Sequence, residues 1–550
     1  MDVLEQDLLF SNREPSEEER LMLELGIATL TAAAAEVANA VESCKTRDRT
    51  GDSADMDAAE AQVLLRIVPS ASTMLRLGGI QQRIRRYRSA LSASRRLPVE
   101  VLQIIFRQLL PDYARISVYE APLLLTRVCR LWRETALVTP ELWSSIHIVC
   151  QPFVRDMRYY PGLFATKQRI LKGVASWIAR SRDLPLDIRI DGPKLVPTRR
   201  YRTQDLLQDR LDVSTLISVL ELLLPHRRRW RTLDIAADAR LLRALERVDA
   251  TEVPNLVAFA CREHKTLHPG TFPFHHCVGG APLLSRLCIA SPCHTGVQTL
   301  LDAPHWQHQL IDFDFCSTYD GRNANAIATV LATISRLHSL ERLSVKLERA
   351  HGGSYVWEPS FLIPFGEPAL LKKLSWLSIS CDDCVLTPLL LDRLKAPHLA
   401  EIEYNTRRHE NIEPFAEFLS RSEAPLKSMR LGIKRWHRKY DDCLRITPSL
   451  EHLVVTGLNP YIAKSVQLNR VTPKLDYDPT LDMCPRLRSV EFWDVWGIDG
   501  EWLLDFLLTR ALHDVALQSV IVRFGYQPSD SLEKQIKPYM ERGTKVTLLW

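Results

Sequence analysis

LSWLSI, residues 374–379, is the stretch whose reading decides the fold. Leu377 and Ile379 alternate with Trp376, Ser378 and Ser380, the period-two pattern of a strand with one buried face. Leu374, three residues before Leu377, falls where a turn would enter that strand. The same Leu-x-x-Leu-x-Leu spacing returns at Leu284-Leu287-Ile289, Leu340-Leu343-Val345 and Leu450-Leu453-Val455. Looser copies stand at Trp230-Leu233-Ile235, Leu256-Phe259-Cys261, Leu310-Phe313-Phe315, Leu399-Ile402-Tyr404, Leu426-Met429-Leu431, Leu487-Val490-Phe492 and Leu517-Val520-Val522. Successive copies lie 24 to 37 residues apart. Helical spacings such as Ala326 to Leu337 and Ile412 to Ser420 fill the intervals. A strand and a helix recurring at a near-constant period mark a stacked αβ solenoid. That architecture is expected over 226–550.

Alternation also predicts which side chains face away from the core. If the second and third apolar positions of each copy point inward, the residue between them and those two away point outward. The outward set then includes Asp312, Asp314, Arg342, Lys346, Trp376, Glu401, Glu403, Arg430, Glu491, Trp493 and Arg523. A phosphate-tracking groove should be mostly basic, and this face mixes both signs. Exposed Trp and Arg suit a protein partner. Asp312, Asp314, Arg342, Trp376, Glu403, Arg430 and Trp493 are therefore the expected protein-binding residues.

Residues 97–146 read LPVEVLQIIFRQLLPDYARISVYEAPLLLTRVCRLWRETALVTPELWSSI. Val101, Leu102, Ile105, Phe106 and Leu109 recur at helical intervals after Pro98, a residue tolerated in a first turn. Leu124, Leu125, Val128, Cys129, Trp132 and Ala136 do the same after Pro122. Thr139-Pro140-Glu141 has the form of an N-cap followed by Pro, opening a short helix with Leu142 and Trp143. Two or three such helices are too small to bury this much apolar surface alone, so part of it should meet a partner.

This stretch resembles an F-box. The matching residues are Leu97-Pro98-x-Glu100-Val101-Leu102, Ile105-Phe106-x-x-Leu109 and Val128-Cys129-Arg130-x-Trp132-Arg133, with a tail, Thr139 to Ser145, similar to that of large fungal (basidiomycete-type) F-box families. It departs from the commonest pattern in the longer segment Asp112 to Glu120. The repeating half is similar to a leucine-rich-repeat domain, with the usual Asn or Cys position filled irregularly, as by Pro292 and Glu348. The resemblance implies a horseshoe of repeats, docking of the F-box on a Skp-family adaptor, and through it membership of a cullin ubiquitin ligase of the SCF type that recruits a protein substrate for degradation. It places Leu102, Ile105, Phe106 and Val128 against the adaptor, with Trp132 and Leu109 locking the hairpin. Adaptor contacts are accordingly expected among Leu97, Pro98, Val101, Leu102, Ile105, Phe106, Leu109, Val128, Cys129 and Trp132. The alternative is a repeat scaffold that binds protein or nucleic acid outside any ligase.

The whole chain is thus expected to be of mixed α+β and α/β class: a helical N-terminal region over 1–94, the F-box module over 95–150, a connecting region over 151–225 and the repeats over 226–550. A length of 550 residues suits several domains. Apolar content of 46% and charged content of 25% are ordinary for a globular protein, and a net charge of +5 is too small to point to nucleic acid. The first 60 residues are acidic; residues 76 to 96 hold seven Arg and no acid. Helices are expected over Glu17 to Glu42 and Ser70 to Ser94, with a loop at Arg47 to Asp57. In the connecting region a helix is expected at Leu171 to Ala179 and a strand at Leu186, Ile188 and Ile190. No run of 18 uninterrupted apolar residues occurs, so no membrane span is expected, and the N-terminus lacks a secretory pattern. Twelve scattered Cys read as reduced thiols of an intracellular protein, cytoplasmic or nuclear.

Neither Cys381-Asp382-Asp383-Cys384 nor the group Cys261, His264, His275, His276, Cys277, Cys288, Cys293 and His294 matches a zinc template, and no metal or cofactor is expected. Gly279-Gly280 and Gly352-Gly353 lack the Lys-Ser or Lys-Thr of a phosphate loop. No nucleophile elbow or zinc-protease motif is present, so the chain is read as a non-enzyme. The basic stretches Arg407-Arg408-His409 and Lys434 to Lys439 are read as solvated loops or a localisation signal.

Overall fold

The computed structural model describes residues 15–47, 75–88, 90–92, 97–149, 163–192, 214–237, 241, 245, 248–263, 278–290, 297–301, 305–319, 324–349, 368–381, 386–406, 412–433, 438–457, 484–493, 500–512, 517–523 and 530–549. The chain divides into two compact units. The first is Met1–Ser145 with Ser176–Leu184; the second is Ile146–Ala175 with Pro185–Trp550.

The first unit is helical. Helix α1 (Glu17–Arg47) opens on a reciprocal capping box: Glu19 N–H donates to Ser16 Oγ (3.3 Å) and Ser16 N–H to Glu19 Oε2 (2.8 Å). Helix α2 (75–88) follows, and the two meet through Leu23, Tyr87 and Ala90, with Ile27, Leu30 and Leu91 packed around them. Residues Glu17–Asn39 of α1 are long and apolar enough to cross a membrane by length and composition, with a hydropathy of 1.5. A search for unbroken apolar runs passes over them because Glu24 and Glu36 interrupt the stretch. Helices α3 (Val99–Gln108) and α4 (Arg130–Val138) come next and pack on each other.

The second unit is built on an open sheet. Its strands are β1 (Ser145–Val149), β2 (Leu186–Asp191), β3 (Trp230–Ala237), β4 (Ala258–Glu263), β5 (Arg286–Ala290), β6 (Asp312–Tyr319), β7 (Arg342–Arg349), β8 (Ala369–Leu370), β9 (Trp376–Cys381) and β10 (Leu394–Lys395). They continue with β11 (Glu401–Asn405), β12 (Ser428–Ile433), β13 (His452–Gly457), β14 (Ser489–Trp493), β15 (Ser519–Arg523) and β16 (Lys545–Leu549). Fourteen of these form one sheet in chain order, while β8 and β10 pair only with each other. From β2 to β16 every ladder is parallel.

All eleven copies of the repeat motif fall on strands of this sheet, and their registers coincide. Ile188, Leu233, Phe259, Leu287, Phe313, Leu343, Leu377, Ile402, Met429, Leu453, Val490, Val520 and Val546 sit side by side in one row, each at most 8% exposed. A second row begins at Ile190 and Ile235 and includes Ile379, Tyr404 and Val455. Each large side chain so buried contributes about 1.5–3 kcal/mol. Helices lie against that face: Tyr404 stacks on Phe415 of the helix Glu413–Ser422 at 4.3 Å.

The strand entries share one backbone pattern. Glu341 and Arg342 both donate their N–H to Ile311 O (2.8 and 3.1 Å), Ser375 and Trp376 to Glu341 O (2.9 and 3.1 Å), and Ala400 and Glu401 to Ser375 O (2.9 and 3.0 Å). One carbonyl at each strand entry thus takes two donors from the next, which satisfies backbone groups there without a side chain.

Three strands of the large sheet carry no motif copy: β1, β2 and β16. β1 carries Ile146 and Ile148 inward, and β16 enters from Gly543 where earlier copies have an apolar residue. Gly543 has φ +102, a conformation that Leu rarely adopts. The connecting region supplies β2, as alternation predicts, and a helix, α5 (Leu163–Arg180), that starts earlier than expected.

Candidate functional site

The described residues offer two surfaces suited to binding, one in each unit. In the first unit, α3 starts after Pro98, whose extended backbone stands at the N-cap, and ends at Leu109. Leu102 and Phe106 are one turn apart and fully buried. Phe106 meets the half-buried Trp132 at a ring distance of 4.9 Å.

The second helix does not begin after Pro122. Residues 121–128 make turns and a short 3₁₀ segment (Leu125–Arg127), and Cys129 is extended (φ −155, ψ 176). Its Sγ accepts the Trp132 N–H at 3.5 Å, so Cys129 acts as the N-cap of α4. Arg133 Nε donates to Thr126 O (2.7 Å) and ties the 3₁₀ turn to the helix. Pro140 opens a second 3₁₀ turn as Thr139-Pro140 implies, although the Thr139 hydroxyl donates back to Thr135 O (2.6 Å) and caps nothing ahead of it. Trp143 is fully buried: its indole N–H donates to Ala136 O (2.8 Å), Trp177 meets it edge-on at 4.8 Å, and Arg180 lies 4.5 Å over its ring.

This packing corrects the expected division of labour. Leu102 and Phe106 face the unit's own core and are closed to a partner, and Ile105 is half-buried. Leu109 does not lock the hairpin; it is 53% exposed, and Val128 is 55% exposed. Val101 and Ile104 of α3 are exposed as well, as are Tyr119 and Leu124 in the inter-helix segment. Leu97 is half-buried and Pro98 exposed. The result is a helical pair whose core is complete and whose outside carries bare apolar side chains, the composition of a docking surface.

The second surface is the outward face of the sheet. Arg286, Asp312, Arg342, Trp376 and Glu401 are consecutive in one row, and Cys288, Asp314, Ser344, Ser378, Glu403 and Arg430 in the next. None of the seven expected binding residues is buried. Arg342 links two of its neighbours: it lies 3.8 Å from Asp312 and 4.3 Å over the Trp376 ring. Burial lifts the Asp312 carboxyl above its ordinary value against the opposing charge of Arg342. Asp314 accepts from Cys288 Sγ (3.4 Å), and burial raises that thiol's pKa, so Cys288 is no ready nucleophile. Glu403 accepts from Ser378 Oγ (3.4 Å), while Arg430 is exposed and makes no ion pair among the described residues. Trp493 donates to Glu491 Oε2 (3.0 Å). It stands on β14, four strands from Trp376 on β9, roughly 19 Å across the sheet at about 4.8 Å per strand, and four residues past the position in register with Trp376. The two Trp therefore serve different parts of the face.

An ionic cluster at the β1–β4 end was not singled out by sequence. His147 bonds Asp191 at 2.7 Å, Arg189 lies 3.4 Å from Asp191 and 3.7 Å from Asp234, and Arg262 pairs with Asp234. Burial alone would lift the Asp191 carboxyl; the His147 bond and the charges of Arg189 and Arg262 outweigh it and hold the group below its ordinary value. Applying the alternation rule to β2, β3 and β4 would have placed Arg189, Asp234 and Arg262 together.

Among the described residues no group of three or more His, Cys, Asp or Glu could hold a metal ion. His264, His275, His276, Cys277, Cys293, His294 and Cys384 lie outside the described residues, as do Arg407-Arg408-His409 and Lys434 to His437. No protein-family model matches the chain, and no curated protein matches it.

Proposed function

We propose that the chain is a substrate receptor of a Skp–cullin–F-box ubiquitin ligase, with 97–146 as the F-box and the parallel sheet as an irregular leucine-rich-repeat-like solenoid whose outward face takes a protein substrate. The observation that carries this reading is that Val101, Ile104, Leu109 and Val128 are all exposed on a helical pair already closed around Leu102 and Phe106. A pair that needed these side chains for its own stability would have buried them. A mixed-charge face with Trp376 and Trp493 half-exposed supports the second part. On this reading the chain contributes proximity: it holds a substrate lysine near the charged conjugating enzyme and raises the effective concentration of the two. It acts inside the cell without metal or cofactor.

Co-expression with a Skp-family adaptor, followed by purification on a tag carried by this chain, tests the proposal. A stoichiometric complex that also captures a cullin is the expected result. A folded chain that elutes without adaptor would give the lead to a scaffold outside any ligase.

A further inference from the structure

The strands from β2 to β16 run parallel in chain order, so their entry turns lie along one edge of the sheet. The backbone sets these turns in file. Ser375 O takes the N–H of Ala400 (2.9 Å), Ala400 O that of Lys427 (2.8 Å), Lys427 O that of Glu451 (2.9 Å) and Glu451 O that of Arg488 (2.8 Å). Between β9 and β14 the turns carry Lys372 and Lys373, then His398, Lys427, Arg486 and Arg488, each exposed. Lys372, Lys373, Lys427 and Arg486 make no ion pair among the described residues. The acids of the same turns are Glu423 and Glu451, and Arg488 stands 3.7 Å from Glu451. On the outward face, by contrast, opposite charges meet, as Arg342 with Asp312 (3.8 Å) and Lys346 with Glu348 (2.9 Å). A file of like charges without counter-charges repels itself and attracts a chain of the opposite sign.

The dimensions and the residue types indicate which chain. From β9 to β14 is four strand spacings, about 19 Å at about 4.8 Å each. An extended peptide covers that distance in about six residues. A single-stranded nucleic acid is a poorer occupant. It is held largely through aromatic side chains that stack on its bases. The turns at 371–375, 396–400, 423–427, 447–451 and 484–488 hold no Phe, Trp or Tyr, and Pro397, Pro425, Pro448 and Pro485 fill much of the space between the cations.

We propose that the strand-entry edge from β9 to β14 binds an extended acidic peptide segment of a partner protein. The proposal rests on the sheet alone and on no part of the receptor reading. Fluorescence anisotropy of a labelled peptide of alternating Glu and Ser, about ten residues long, titrated with the full chain at about 0.05 M salt, tests it. Lys373→Glu with Arg486→Glu should weaken binding about tenfold or more with an unchanged melting profile, because neither side chain has an ion-pair partner to lose. The milder Lys373→Gln with Arg486→Gln should weaken binding less and keeps the test valid if the charge reversal disturbs folding. Arg85→Glu with Arg88→Glu makes the same charge change on the exposed side of helix α2 and should leave binding as in wild type. A wild type that leaves the peptide free, or binding that survives the edge substitutions in a folded chain, overturns the proposal. So does stronger binding of a labelled oligouridine of the same length that is lost on the same edge substitutions, since the edge would then take a nucleic acid.

Discussion

Leu377 in the sheet and Leu109 in the helical unit are each a leucine of an apolar periodic pattern, yet Leu377 is fully buried and Leu109 is half bare. The same contrast holds between whole rows. Thirteen strands place their second apolar position in a common core and leave a polar, largely self-paired face outside. The helical unit closes on Leu102 and Phe106 and leaves Val101, Ile104 and Val128 in solvent. In the sheet, apolar character signals packing and polar character signals surface. In the helices, apolar character signals either, and the difference lies in which side chains the unit could not use.

The comparison breaks most visibly at the buried positions. Phe106→Ala should destabilise the helical unit by about 3–5 kcal/mol, and Leu377→Ala the sheet by about 2–5 kcal/mol, as read by denaturant unfolding. Ile104→Ala and Val128→Ala should each stay within about 0.5 kcal/mol of wild type, the range of ordinary surface changes. If Ile104→Ala costs as much as Phe106→Ala, the exposed apolar side chains are part of the core and the contrast is lost. Trp132→Ala should fall below Phe106→Ala, because Trp132 is only half-buried.

A smaller effect belongs to the outward face. A double-mutant cycle on Arg342→Ala and Trp376→Ala should give a coupling of about 0.5–1 kcal/mol, the size of an exposed cation–π contact. Zero coupling would mean that Trp376 is free to meet a partner without releasing Arg342.

The ionic cluster sharpens the picture through pH. The Asp191 carboxyl is held below its unfolded value, so its contribution is fully present above the unfolded pKa, about 3.9, and is lost as pH falls through the folded value. The stability difference between wild type and Asp191→Asn should therefore be largest near neutrality and shrink below about pH 4. A difference that grows on acidification would assign the opposite sign to this group.

Most of the sheet was legible because period two has one physical meaning when one face is buried: every motif copy from Trp230 to Val522 names two inward residues of a strand. β16 escaped because Gly543 replaces the motif's leading apolar residue, and β1 because a single Ile-His-Ile alternation stands apart from any repeat. The helical unit was legible only in part. Its spacing located α3 and α4 and the Pro140 turn, but helical periodicity does not distinguish the face that packs from the face that stays exposed, so it does not reveal that Leu102 is buried and Leu109 half exposed. The break at Cys129 was equally hidden, since apolar residues at helical intervals run straight through it. The cluster of His147 and Asp191 depends on β1 lying beside β2, a pairing that no local pattern announces.

The most direct measurement is a titration of a purified Skp-family adaptor against wild-type chain and against two double variants, Ile104→Asp with Val128→Asp on the helical pair and Trp376→Ala with Trp493→Ala on the sheet. Tight binding is predicted for wild type and for the sheet variant, and loss of binding for the helical variant with its melting profile intact. Unchanged adaptor binding by the folded helical variant would contradict the proposed docking surface.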